Sequence, residues 1–304
     1  MDRPASGRYT PGMGTRDTLV KKAVLDSPVV EVTPVVLGGR LLLAECWREH
    51  WKQAPPEAPC VVIRDVESGR VLTTTFSGHS LASAFVWDEA LYLFGAKKTV
   101  DPDGKIRWND VSMTKTTDLV RWSDPEVVVA QRDGEHFFNQ SVCRGADEFV
   151  MAIETDNHTP FTIEFARSSD LATWERIPAA LFSPDTYVAC PALRCCGGAY
   201  YLLYTVRPTD RWWFEVWAAR ASDLRHWEVS AHNPVLAPDP NLSVYPGLGI
   251  EGPEVNNSDP DLVEWQGRTR VYFTGGCQER GGRLQYAEYD GPLCEFLGGL
   301  FQNR

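Results

Sequence analysis

The chain has 304 residues, with 30 basic against 41 acidic side chains and a net charge of −11. Its paired lysines, Lys21-Lys22 and Lys97-Lys98, stand apart, so the basic cluster that holds a phosphate backbone is missing and nucleic acid is excluded as a partner. With 43% apolar and 23% charged residues the composition is that of a folded globular chain, and no apolar run approaches the roughly 20 residues of a membrane span.

Residues 1–27 open polar and rich in proline and glycine, without the apolar core of a signal peptide. They are expected to form an N-terminal arm on a cytoplasmic protein. Beyond them, short apolar runs alternate with turns. In chain order the strongest runs are Leu41-Leu42-Leu43, Leu91-Tyr92-Leu93-Phe94, Phe149-Val150-Met151-Ala152-Ile153, Tyr200-Tyr201-Leu202-Leu203-Tyr204 and Val271-Tyr272-Phe273. The turns before them carry Gly39, Asp88, Gly145, Gly197 and Gly267. Runs of this length and composition, bounded by turn residues, are strands. No stretch keeps a 3.6-residue apolar period beyond about two turns.

Three segments then repeat nearly letter for letter: 117–122, 169–174 and 222–227, each holding Asp-Leu-x-x-Trp. Their aspartates, Asp118, Asp170 and Asp223, are 52 and 53 positions apart. Units of roughly 50 to 70 residues with about four strands each match propeller blades. The sequence therefore predicts an all-β fold, a single five-bladed β-propeller with four-stranded antiparallel blades, filling residues 28–304. The last unit is lengthened by a Pro/Gly-rich loop at 234–253. In each Asp-Leu-x-x-Trp element the Asp is expected to cap a turn and the Trp to fill space between blades.

The eight cysteines, at 46, 60, 143, 190, 195, 196, 277 and 294, include no C-x2-C pair. In a chain large enough to build its own core they are expected to be free and buried.

Propeller geometry selects one rim for function, where the innermost strands begin and the second strands end. Blade one offers Glu31, Thr33, Glu45, Trp47 and Arg48 there, and blade two His79, Ser80, Ser83, Lys97 and Lys98. Blade three gives Asn139, Gln140, Ser141, Glu154, Asp156 and His158; blade four gives Asp185, Tyr187 and Arg207. Blade five gives Asn256, Asn257, Ser258, Asp259, Asp261, Gln278 and Arg280, with Glu251 and Glu254 in the loop before it. Carboxylates, amides, a guanidinium and aromatic faces around one funnel suit a hydroxyl-rich ligand.

Here the chain resembles a known group. Five blades, the recurrent element at 168–174 and 221–227, and Gly-x-Tyr-Tyr-Leu-x-Tyr at 198–204 look like the five-bladed glycoside hydrolases, families 32, 43, 62, 68, 117 and 130. The resemblance covers nearly the whole chain from about residue 28 and implies a carbohydrate substrate. Those families typically carry an acid near the start of the innermost strands of blades one, two and three. This chain departs from that pattern. Thr33 takes the blade-one position with Glu31 two residues earlier, blade two has Ser80 and Ser83, and blade three has Asn139-Gln140-Ser141. The acids gather instead in blade five.

Glycoside hydrolysis needs two carboxyl groups flanking the scissile bond, one of them keeping its proton near neutral pH. Asp259 and Asp261 are expected to supply the base or nucleophile, and Glu154, Glu31 or Glu251 the proton donor. His79, Asn139, Asn257, Arg207, Trp47 and Gln278 are candidate substrate contacts. No cofactor is required, although the blade-five acids would permit an axial Ca²⁺ or Na⁺. The expected function is a glycosidase acting on a small oligosaccharide or glycoside. The alternatives are a non-catalytic carbohydrate-binding propeller and, third, a protein-interaction platform. Oligomeric state is not legible in the sequence. Two other motifs fail on context. Gly247-Leu248-Gly249-Ile250-Glu251-Gly252 is followed by Pro253 and lacks the helix a dinucleotide site needs, and Gly78-His79-Ser80 precedes a strand where a nucleophile elbow precedes a helix.

Overall fold

Four of the five blades begin with the same hairpin. Gly38-Gly39, Asp88-Glu89, Gly197-Gly198 and Gln266-Gly267 each place two consecutive residues at positive φ. A two-residue turn of that kind matches the twist of the strands it joins. The protein is described here by a computed structural model, which covers residues 19–25, 27–132, 134–157, 161–182, 186–241, 253–277 and 281–302. The strands among them form five four-stranded antiparallel sheets, one per blade. The innermost strands are Val32–Leu37, His79–Trp87, Phe137–Arg144, Tyr187–Cys196 and Asn256–Trp265.

The core is divided among the seams between blades. Leu42 and Ile63 of blade one meet Leu91 and Leu93 of blade two, and Phe94 and Met113 of blade two meet Met151 and Ile153 of blade three. The repeated element does what its residues dictate. Asp118, Asp170 and Asp223 each accept two backbone N–H bonds from the residues two and three further on, at 2.7–3.0 Å. Leu119, Leu171 and Leu224 take positive φ to make the turn. The tryptophans then pack back against the preceding blade: Trp227 stacks on Phe165 at 5.3 Å, and Trp174 meets Phe94 edge to face at 5.9 Å. These are fold residues.

Blade five is assembled from both ends of the chain. Its first three strands are Asn256–Trp265, Arg268–Cys277 and Gly281–Tyr289, and its outer strand is Leu19–Val24, antiparallel to the third. A segment expected in the N-terminal arm thus closes the ring, because the third strand of blade five has an edge that only a distant segment can pair.

The cysteine expectation is corrected. Cys196 and Cys294 form a disulfide with Cα atoms 5.4 Å apart, and six cysteines are free. Adjacent residues on a strand face opposite ways, so Cys196 enters the seam between blades four and five while Cys195 does not share it. The short helix Leu293–Gly299 brings Cys294 there and buries Phe296 and Leu297 in the same seam. The cysteine content therefore gives no support to a cytoplasmic location. No helix among the described residues is long and apolar enough to cross a membrane.

Candidate active site

A regular strand turns alternate side chains to the same face, and the innermost strands break that rule close to the axis. Pairing with the second strand slips between Ser80 and Ser83, Phe137 and Gln140, Ala189 and Ala192, and Ser258 and Asp261. In three of these bulges one residue is left-handed: Leu81 (φ 55°), Cys190 (φ 52°) and Asp259 (φ 51°). Such a conformation costs about 1–2 kcal/mol for a residue with a Cβ, and a bulge re-aims the side chain it carries. Two of the re-aimed residues, Cys190 and Asp259, reach a pocket on the axis. Its walls include Glu31, Thr33, Ser83, Asn139, Gln140, Cys190, Asp259 and Asp261, and its volume is about 30 Å³.

Cys190 joins the two carboxyl groups at the centre. Its backbone N–H donates to Glu154 Oε2 at 2.8 Å, and its Sγ donates to Asp259 Oδ1 at 3.0 Å. Glu154 Oε2 also accepts from Asn139 Nδ2 at 2.9 Å. Glu154 is 3% exposed and its donors are neutral. Burial, reinforced by the nearby charges of Asp259 and Glu31, outweighs those bonds and pushes its pKa up to about 7. Burial also holds Cys190 as a thiol, well above its usual range, with the charges of Asp259 and Glu154 acting the same way. Asp259 further accepts from the Ser258 hydroxyl, and its own N–H donates to Thr205 Oγ1 at 2.9 Å.

Glu31 stands on the blade-one side, with Oε1 bonded to Arg48 Nη2 at 2.5 Å. Burial raises its pKa and Asp259 adds to that, while Arg48 opposes both. Glu31 Oε2 and Arg48 Nε are buried atoms with no hydrogen-bond partner among the described residues.

The expected residues divide into four groups. Asp259, Glu154, Glu31 and Asn139 come together as described. Asp261 lines the same pocket, but its Oδ1 is bonded to Arg194 Nη2 at 2.5 Å and to the Leu262 N–H at 2.7 Å. The bulge breaks the simple alternation that would pair Asp259 with Asp261 on one face. Four expected contacts lie elsewhere. Trp47 is 7% exposed, donates to Glu45 and packs on Trp51. Asn257 is fully buried and donates to the Asn256 carbonyl at 2.6 Å. His79 is buried and stacked on Phe76 at 4.0 Å, with its pKa lowered by that burial. Arg207 is exposed at the rim, over the Trp212 ring at 4.9 Å. Glu251 and Gln278, with His158, Asp185 and Arg280, lie outside the described residues. Among the described residues no group of three or more His, Cys, Asp and Glu could hold a metal ion.

Sequence reasoning passed over Cys190, and a signal was present. Cys190-Pro191 in blade four and Asp259-Pro260 in blade five occupy the same bulge, so a residue before proline near the start of an innermost strand marks a group turned to the axis.

A protein described as a glycoside hydrolase superposes with a TM-score of 0.64 at 11% identity, over 90% of this chain and 91% of that one. A thermostable family-43 glycoside hydrolase gives 0.61 at 11%, over 88% and 91%. The fold is that of the five-bladed glycoside hydrolases. An α-L-arabinofuranosidase from Podospora anserina, solved in complex with cellotriose, gives 0.61 at 11%, over 91% and 96%. No family model and no curated protein matches the sequence.

Proposed function

We propose that the protein is a glycosidase in which Glu154 is the proton donor and Asp259 the second carboxyl group. One observation carries this reading: a single residue, Cys190, hydrogen-bonds two carboxyl groups, Glu154 and Asp259, beside the axial pocket, and burial pushes the pKa of Glu154 up to about 7. That is the asymmetry glycoside hydrolysis requires. Glu154 gives its proton to the glycosidic oxygen as the bond to the anomeric carbon breaks. Water attacks that carbon, directly with Asp259 taking its proton, or after Asp259 has formed and surrendered a covalent bond to it. Either route consumes one water and one glycosidic bond, and returns the proton to the pair. Glu31, in the pocket wall and paired with Arg48, is the contact assigned to a sugar hydroxyl. Asp261, neutralised by Arg194, is assigned to fixing the inner strand of blade five.

A second reading, binding without turnover, draws on blade two. There the left-handed position holds Leu81 where blade five holds Asp259, and the blade sends no acid to the axis. One experiment separates the two: a panel of aryl glycosides offered to wild type, Glu154→Gln, Asp259→Asn and Asp261→Asn. The glycosidase reading expects turnover that Glu154→Gln and Asp259→Asn remove. Turnover unaffected in both variants would exclude it, and saturable binding with no turnover of any member would favour the binding propeller.

A further inference from the structure

Six aromatic rings form one continuous row on the rim that holds the pocket. Trp108 meets Phe138 at 5.6 Å between ring centroids, and Phe138 meets Phe161 at 5.1 Å. Phe161 then meets Tyr187 at 5.6 Å, Tyr187 meets Phe214 at 6.1 Å, and Phe214 meets Trp212 at 5.9 Å. The rings come from three blades. Trp108 lies near the start of the third strand of blade two, Phe138 and Phe161 open the first and third strands of blade three, and Tyr187, Trp212 and Phe214 do the same in blade four. The beginnings of first and third strands share one rim, so the row is a product of the fold.

Its exposure separates it from the seam packing. Phe94, Phe165 and Phe273, which fill seams, are 0–1% exposed, whereas Trp212 is 58% exposed. Trp108, Phe138, Phe161 and Tyr187 are half-buried, and only Phe214 is buried. The row is also tied to the chemistry. Phe138 precedes Asn139, which bonds Glu154. The Tyr187 hydroxyl is held above its usual range by burial and by the acidic groups of Cys190, Glu154 and Asp259 beside it. A core has no need of half-open rings in sequence past a carboxyl cluster, and a partly open apolar row beside such a cluster points to an interaction site. Aromatic rings present apolar faces with polar edges, which suits a ligand that alternates C–H faces with hydroxyls. A bare apolar ligand would leave the carboxyl groups and Arg207 unsatisfied.

We propose that this row is a platform for a neutral oligosaccharide of several units, extending from the axial pocket toward Trp212 on one side and Trp108 on the other. It rests on the reading of the pocket as a glycoside site, and it names the substrate class as an oligomer. The axial pocket takes the reacting sugar, and the rings take its neighbours.

The test is calorimetric titration of the full chain with xylo-, arabino-, manno- and fructo-oligosaccharides, each from two to six units, using wild type, Trp212→Ala, Phe161→Ala and Trp212→Phe. In one series affinity should rise with chain length. Each alanine variant should weaken the longest member on the order of three- to tenfold, by a factor that grows with length, and Trp212→Phe should restore most of it. Unchanged thermal midpoints would show that folding is intact. Affinity independent of length, alanine variants equal to wild type, or no binding in any series would overturn the platform. The two proposals fail separately: turnover of aryl glycosides that depends on Glu154 survives loss of the platform, and length-dependent binding without turnover keeps the platform while removing hydrolysis.

Discussion

Glu154 and Asp261 are carboxyl groups buried to similar depth beside the same axis, 3% and 6% exposed. Burial is the largest influence on both and raises both. What differs is the charge of the donors. Asp261 faces the Arg194 guanidinium at 2.5 Å, a backbone N–H and the Thr33 hydroxyl. Glu154 faces an amide and a backbone N–H, with two further carboxyl groups nearby. Depth alone therefore does not make a proton donor. A buried carboxyl with a cationic partner becomes a strut, and one with neutral partners and acidic neighbours keeps a proton to give.

The sharpest way to break this comparison is to remove each group in turn. Glu154→Gln preserves shape and hydrogen bonding, so folding should be retained while turnover falls about 10²–10⁴-fold. The loss should be greatest for substrates whose leaving group most needs a proton, as steady-state rates across aryl leaving groups would measure. Asp261→Asn should do the reverse. It leaves a mostly buried guanidinium without its counter-charge, so denaturant unfolding should show a loss of about 3 kcal/mol or more.

The pH dependence of stability follows from the same contrast. A group whose pKa is raised on folding stabilises the native state fully below its unfolded value, and that contribution is lost as pH rises through the folded value. For Glu154 the window runs from about 4.5 to about 7, and Glu31 and Asp261 act in the same direction. The thermal midpoint should therefore fall as pH rises from about 4.5 to about 7 and level off above that. Glu154→Gln should flatten that fall by an amount on the order of 3 kcal/mol in unfolding free energy at pH 8. The smallest effect is expected at Cys190. Cys190→Ser keeps a donor toward Asp259 and should leave the pH–rate profile in place, whereas Cys190→Ala should displace it with a stability change of about 1 kcal/mol.

The blades were legible because their signals are local. A hairpin turn, an Asp that caps two N–H groups and a Trp four residues later repeat at a spacing that one sequence displays. The closure by Leu19–Val24 was not, because that strand is defined by a partner more than two hundred residues away. The carboxyl groups of the site were legible as a rim composition, yet Trp47, His79 and Asn257 shared that composition and are taken up by Glu45, Phe76 and the Asn256 carbonyl. Strand alternation placed Asp259 beside Asp261, and a bulge undid it. The departure from regular geometry created the site, so regular geometry could not predict it.

The central claim is that Glu154 gives the proton, and the pH dependence of kcat/KM for the best aryl glycoside, in wild type and Glu154→Gln, tests it most directly. The account predicts a wild-type rate that declines with a midpoint near pH 7, and a variant that is slow and has lost that limb. A variant as active as wild type, or one with the same descending limb, would contradict it.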